Sequence, residues 1–179
     1  MMRVLDEPFE KLNMYTEVKN WLAAGDGPVS VTGATGNGTD RVFMMHSFGD
    51  DTSFRLILTY NDRRAEELYN DMKFYSREVY LYPAKDILFF SADVHGNAIT
   101  RHRMEVLRKL ATGESCTIIA TNDAMYDKIP ALSYMRKYVI TIRQGQKLEL
   151  DGLRGKLTDL GYEKTDSVEE PGQFAFRGE

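Results

Sequence analysis

Cysteine is nearly absent from this sequence: Cys116 is the only one in 179 residues. An internal disulfide is therefore excluded, which fits a reducing compartment such as the cytoplasm. Cys116 sits in the apolar run CTIIA and reads as a buried strand thiol. No apolar run reaches about 18 residues, so no transmembrane helix and no membrane role is expected. The N-terminal MMRVLDEPFEKLNMYTEV is charged and lacks the apolar core of a secretory signal. Positive charge is also short: 23 Lys and Arg stand against 27 Asp and Glu, a formal net charge of -4. A protein that wraps nucleic acid with its whole surface is usually basic, so any DNA contact needs a local patch, and no dense one is visible. His46, His95 and His102 are spaced unlike any metal-ligand set, and one cysteine cannot complete one, so no metal is expected.

Hydrophobic residues make up 42% of the chain, enough for a real core. The first 25 residues read as a helix, with Phe9, Leu12, Tyr15, Val18 and Leu22 at three- and four-residue steps and Gly25 and Gly27 as stops. PVSVTG reads as a strand entering a glycine loop, with a helix over 40–48 behind it. FRLILTY reads as a strand covered on both faces. In NDRRAEELYNDMKFYS, Ala65, Leu68, Tyr69, Met72 and Tyr75 form one helical stripe, and Asn61 or Asp62 can cap its start. EVYLYP is a strand ended by Pro83. A helix over about 97–112 turns Met104, Leu107, Leu110 and Ala111 inward and ends at Gly113. SCTIIATN carries the strongest buried-strand signal, and YVITI, 138–142, reads as one more strand. Alternating strands and helices predict a parallel sheet with helices on both faces.

After residue 142 the texture changes. Leu150, Leu153, Leu157 and Leu160 mark an amphipathic helix, followed by strand signals around YEKTDSV and QFAFR joined across a Pro171-Gly172 turn. The expected organisation is a first domain over 1–142 and the first part of a small α/β lobe over 143–179. The strand QFAFRGE stands at the chain end, which raises the expectation of a strand-paired dimer.

VTGATGNGTD, residues 31–40, nearly spells a phosphate-binding loop. Such a loop follows G-x-x-x-x-G-K-[ST]. Gly33, Gly36 and Gly38 keep the turn, but Thr39 and Asp40 stand where Lys and Ser or Thr belong. The missing Lys would reach the terminal phosphates, and the missing hydroxyl would hold Mg²⁺. Asp40 instead places a carboxylate at the helix start. Two unit charges ~5 Å apart at an effective dielectric of ~20 repel by roughly 3 kcal/mol. A lost charged hydrogen bond adds about 1.5–3 kcal/mol. Asp40 can also cap the helix and complement its dipole. An inactive remnant, a weak anion or nucleotide site and an active NTPase are the three readings, and the chemistry favours the first. IIATND ends in a single acid, Asp123, which suits a helix cap better than a metal ligand.

The order VTGATGNG…RLILTYNDRRAEELYNDMKFY…VYLYPAKDILFF…RHRMEVLRKLATGE…CTIIATNDAMYDKIP…GQKLELDGLRGKLTDLGYEKTDSVEEPGQFAFRG resembles the N-terminal, UvrB-like module of bacterial transcription-repair coupling factors (Mfd). The most specific pieces are Leu81–Pro83 with Asp86, the Leu107–Glu114 helix end, Leu160-Gly161-Tyr162, Glu170-Pro171-Gly172 and Arg177-Gly178. UvrB-like chains keep a Lys where Thr39 stands and insert a long tyrosine-rich hairpin where this chain has only KDILFFSADVHGN. Phe89 and Phe90 there read as core contacts or a surface pair.

The resemblance implies a P-loop NTPase-like sheet and a non-catalytic role without cofactor, recruiting UvrA through the small lobe to stalled RNA polymerase in nucleotide excision repair. In the full-length family protein, an ATP-dependent translocase, RNA polymerase and DNA are engaged by regions absent from this chain, which is expected to be a piece of such a protein. Arg177 and Phe176 are the expected partner-binding residues, with an edge-strand Arg kept for solubility as the alternative for Arg177. A nucleotide-dependent UvrB-like helicase domain is the alternative function. Arg101, His102, Arg103, Arg108 and Lys109 cluster on one helix and read as a solvated face, or else as a phosphate-contacting stripe. Arg136 and Lys137 are similarly open.

Overall fold

In a computed structural model of the chain, the described residues are 11–32, 38–49, 54–85 and 93–176. The side chains of Thr39 and of residues 93–98 lie outside that set. The first helix, α1 (Asn13–Ala24), ends at Gly25, whose φ of 70° is the left-handed turn that glycine adopts without strain. It buries Tyr15 and Val18. The Tyr15 hydroxyl meets the Ser47 hydroxyl, and its ring stacks on Phe48 at 5.0 Å, which fastens α1 to α2 (Thr39–Phe48). Leu12 and Leu22, expected on the inner stripe, are about half exposed, and Phe9 lies outside the described residues.

The centre is a three-stranded parallel sheet in the order β1 (Phe54–Thr59), β3 (Cys116–Thr121), β2 (Val79–Tyr82). β3 is buried along all six residues, as its apolar run predicts. Its alternating side chains feed two cores. Ile119 joins Ile57, Val79, Val42, Ala65, Leu68 and Met72 beneath α3 (Asp62–Met72). Cys116, Ile118 and Ala120 join Tyr82, Val106, Leu107 and Ala124 beneath α4 (Asp93–Thr112). The start of α3 is set by Asn61, whose Oδ1 accepts from the Arg64 backbone N–H at 2.8 Å. A mixed α/β architecture with helices on both faces of a parallel sheet is thus what the chain forms.

Three local expectations are corrected. β1 is not covered on both faces: Phe54, Leu56 and Leu58 are 42%, 50% and 50% exposed. Phe54 and Leu56 border an apolar groove of about 340 Å³ walled by α4 and by Met125 and Ile129. α4 packs over the β2 side of the sheet and leaves this half open. Residues 28–32 are not hydrogen-bonded into the sheet, although PVSVTG has strand character. YVITI also forms no strand. Tyr138 closes a 3-10 turn (Arg136–Tyr138) after α5 (Asn122–Met125) and α6 (Leu132–Met135), and 139–142 run on without a ladder. β-branched residues favour extended backbone, but a strand exists only with a neighbour to pair.

The last part of the chain holds α7 (Leu150–Asp159), β4 (Glu163–Lys164) and β5 (Gln173–Phe174). The Leu160-Gly161-Tyr162 motif ends α7. Gly161 takes φ 84° and donates to Thr158 O at 2.9 Å, while Tyr162 N donates to Leu157 O at 2.9 Å. This double bond is the glycine-dependent stop that satisfies the last carbonyls of a helix. β4 and β5 pair in parallel, Glu163 opposite Gln173, and not as a hairpin across Pro171-Gly172. Leu153, Leu157 and Leu160 are half-buried and Leu150 is exposed.

Candidate functional site

The glycine loop is seen only at its end, since Gly33 and Gly36 lie outside the described residues. Gly38 is the N-cap of α2, with φ 95° and ψ -32°. Its carbonyl accepts the Val42 N–H at 3.1 Å, and a Cβ added there would stand 3.4 Å from Arg64 Nη2. Only glycine holds that backbone without strain. Thr39 opens the helix. Asp40 is exposed in the first turn and is not the cap, which corrects one of its expected roles. The cap position falls two residues earlier, on a residue without a side chain. What Asp40 retains is its favourable place in the field of the helix N-terminus. Sequence reasoning missed Arg64, which comes from the next helix to lie against Gly38 and pairs with Glu67 at 3.0 Å. The visible end of the loop therefore holds an exposed carboxylate and a paired guanidinium.

The cations of α4 do not form one solvated face. Arg101 and His102 are exposed, and Arg108 pairs with Glu114 at 2.7 Å near the surface. Arg103 and Lys109 are buried, 5% and 8% exposed. The Arg103 guanidinium stacks 4.2 Å from the Tyr82 ring centroid, donates to Pro83 O at 2.8 Å and stands 2.9 Å from Asp127 Oδ2. The Asp127 contact is close but out of line for a hydrogen bond. Burial raises the Tyr82 phenol, and the Arg103 charge offsets part of that. Lys109 reaches Glu78 at 2.6 Å and Glu114 at 2.9 Å and lies 5.4 Å from the Tyr80 ring centroid. Its hydrogen bonds to Glu78 and Glu114 push the ammonium well above the ordinary lysine range. The Lys109 bond, followed by that of Thr112, pulls the Glu114 carboxyl down to about 2. Glu78 is lowered by the same lysine, and burial pushes the Cys116 thiol up.

Two of the family-specific pieces are thus fasteners. Arg103 holds the end of Leu81–Pro83, and Glu114 closes the helix end at Leu107–Glu114. The signal was legible, because Arg103 precedes buried Val106 and Leu107 by three and four residues and so shares their face. Among the described residues no group of three or more His, Cys, Asp or Glu side chains is placed to hold a metal, and no helix is long and apolar enough to cross a membrane.

In the last part of the chain, Phe174 is buried and Phe176 is half-buried, their rings edge to face at 5.6 Å. Arg154 of α7 places its guanidinium 5.2 Å from the Phe176 ring centroid. Gln173 Oε1 accepts from the backbone N–H groups of Glu169 and Glu170, at 2.9 and 3.1 Å, and so shapes the Glu170-Pro171-Gly172 turn. Arg154 was not anticipated. Arg177, with Gly178 beside it, lies outside the described residues, as do Asp86, Phe89 and Phe90.

This is the part of the chain that the UvrB interaction domain matches, over residues 140–179. The transcription-repair-coupling factor of Bacillus subtilis is 26% identical over 145 residues, 79% of this chain. That of Staphylococcus aureus is 22% identical and that of Staphylococcus epidermidis 24% identical, each over 175 residues, 97% of this chain. The chain spans 12% of the first relative's length and 14% of the other two. It is therefore similar, along most of its length, to a stretch of the transcription-repair coupling factors, and its residues 140–179 match the UvrB interaction domain.

Proposed function

We propose that this chain is a non-catalytic recruiting module of a transcription-repair coupling factor, and that it binds UvrA through its last forty or so residues. The observation that carries the reading is the coincidence of the UvrB interaction domain with the α7–β4–β5 unit and its Arg154–Phe176–Phe174 stack. Residues 143–179 then form the partner-binding lobe, and residues 1–142 a P-loop NTPase-like scaffold whose loop, Gly33, Gly36, Gly38, Thr39 and Asp40, no longer serves nucleotide. Asp40 in the first turn of α2 supports that, because it puts negative charge where a phosphate would sit. The longer polypeptide supplies the translocase and the contacts to RNA polymerase and DNA. The test is a calorimetric titration of UvrA with this chain and with a chain extended past residue 179. Saturable binding by both is expected, and no binding by either overturns the reading.

A further inference from the structure

The sequence shows no dense basic run, yet residues 128–148 hold Lys128, Arg136, Lys137, Arg143 and Lys147 and not one Asp or Glu. That is a strong local excess in a chain of net charge -4. All five cations are exposed. Among the described residues none of them is held in an ion pair, and Arg136 alone is tied, donating from Nε to Ala111 O at 2.7 Å. The same segment exposes two aromatic rings. Tyr134 and Tyr138 are 53% and 44% exposed, with ring centroids 4.8 Å apart and planes inclined by 57°. The Tyr138 hydroxyl donates to that of Tyr134 at 2.8 Å, which fixes the two rings relative to each other. Both rings therefore keep accessible aromatic surface.

The fold gathers these groups beside a groove. A cavity of about 560 Å³ runs between residues 137–149 and α7, and its walls include Lys137, Tyr138, Lys147 and Lys156. Glu149 and Asp159 also line it, so the cations outnumber the acids there by three to two, and Arg143 extends the excess along the turn at 143–146. Unpaired cations along a groove with exposed aromatic faces beside them are what a single nucleic-acid strand requires: the cations follow phosphates and the rings stack on bases whatever their sequence. Duplex readout lays a helix or ribbon in a groove, and the helical pieces of this segment, α6 and the 3-10 turn after it, are only four and three residues long. We infer that the surface made by residues 128–147 and Lys156 binds single-stranded nucleic acid without sequence preference, with Tyr134 and Tyr138 as the stacking platform. This goes beyond the UvrA reading and does not use Arg154, Phe174 or Phe176, although Arg143, Lys147 and Lys156 lie in the same stretch of chain.

The experiment is a fluorescence-anisotropy titration of the full chain against a labelled oligodeoxythymidylate of about 15 nucleotides, at about 25 and about 150 mM salt. Saturable binding is expected at low salt, weakening with a log–log slope of about -2 to -3 if three or four phosphates are engaged at ~0.7 each. Lys137→Glu with Lys147→Glu lowers affinity by about tenfold and flattens the slope. Tyr134→Leu with Tyr138→Leu lowers affinity several-fold and leaves the slope in place, because stacking releases no counterions. All four side chains are exposed, so an unchanged circular-dichroism spectrum is expected of each variant. No binding at low salt overturns the inference. So does a result in which a polyglutamate peptide binds as tightly and the tyrosine substitutions change nothing, since the surface then reads an acidic polypeptide. A failed UvrA titration leaves the inference standing.

Discussion

Arg103 lays its guanidinium on the ring of Tyr82, 4.2 Å from the centroid, and in doing so ties α4 to the end of β2. The same group holds Pro83 O and faces Asp127, so three chain segments meet at one side chain. Arg103→Met keeps the length and removes the charge, which leaves the partly buried Asp127 carboxylate without its counter-charge and Pro83 O without its donor. Breaking a buried pair this way costs up to 3–5 kcal/mol, and partial exposure of Asp127 reduces that to about 2–4 kcal/mol here. Arg103→Lys is expected to recover little, because an ammonium cannot stack and fork at once. Urea denaturation of the two variants checks this, and a loss under about 1 kcal/mol for Arg103→Met contradicts it.

Lys109, Glu78 and Glu114 set a pH dependence whose sign is fixed by their shifts. Glu114 falls from an ordinary 4.5 to about 2, and Glu78 is also lowered. Lowered carboxyls give stability that is complete above their unfolded value and lost as pH falls through the folded one. The loss therefore runs from about pH 4.5 down toward 2. Lys109 is raised, so its share is complete below the ordinary lysine value and is lost only in strong alkali. Glu114→Gln should flatten the acid limb of a stability–pH curve and leave the region from neutral to pH 9 with a constant offset. An acid limb identical to that of the unsubstituted chain removes this role.

The start of α2 offers two substitutions of unequal weight. Asp40 caps nothing through the N-cap position, so Asp40→Ala loses only its interaction with the helix dipole, about 0.3–1 kcal/mol. Gly38→Ala forces a side chain onto φ 95° and against Arg64, which costs about 1–3 kcal/mol. Chemical denaturation should rank Gly38→Ala as the more damaging, and the reverse order refutes this account of the turn.

How much of this was legible depended on how local the cause was. α3 was readable because its stripe, Ala65, Leu68 and Met72, and its cap, Asn61, lie within one short segment. The glycine stop after α1, at Gly25, was readable for the same reason. β3 announced itself through an unbroken apolar run. Pairing is not local, and there the reading failed. Val139–Ile142 has the composition of a strand and no ladder, and β1 is a nearly continuous apolar run yet open on one face. The direction of the β4–β5 pair was equally out of reach, since a Pro-Gly turn suggests a hairpin and says nothing about a chain that crosses over instead. At the candidate sites, Arg64 and Arg154 were missed because each acts on a residue distant in sequence, Gly38 and Phe176.

Mg-ATP should neither bind nor be hydrolysed by this chain. Thr39 cannot carry the charge that reaches the terminal phosphates, and Asp40 repels them. Calorimetry is the direct check, and saturation in the low-micromolar range refutes the remnant reading. Asp40→Ser alone should not restore binding, because the lysine is still missing.

Loss of partner affinity should follow the Arg154–Phe176 stack and the neighbouring Arg177. Arg154 and Phe176 are only partly covered, so neither is needed to hold a deep core. A cation–π contact at such a site contributes about 0.5–1 kcal/mol to folding. An arginine at the centre of an interface commonly contributes about 2 kcal/mol or more to binding, through paired hydrogen bonds to a carboxylate. The two roles therefore differ in size as well as in kind. In a chain extended past residue 179 and titrated with UvrA, Arg177→Ala is expected to weaken binding by about 2 kcal/mol, roughly thirtyfold, with stability changed little. Phe176→Ala should weaken binding and also free Arg154, and Phe176→Leu should restore stability before it restores affinity. If both alanine variants bind UvrA as the unsubstituted chain does, with folding intact by circular dichroism, then this face of the lobe is not the contact. The recruiting role then has to rest on the surface of α7 that points away from β5.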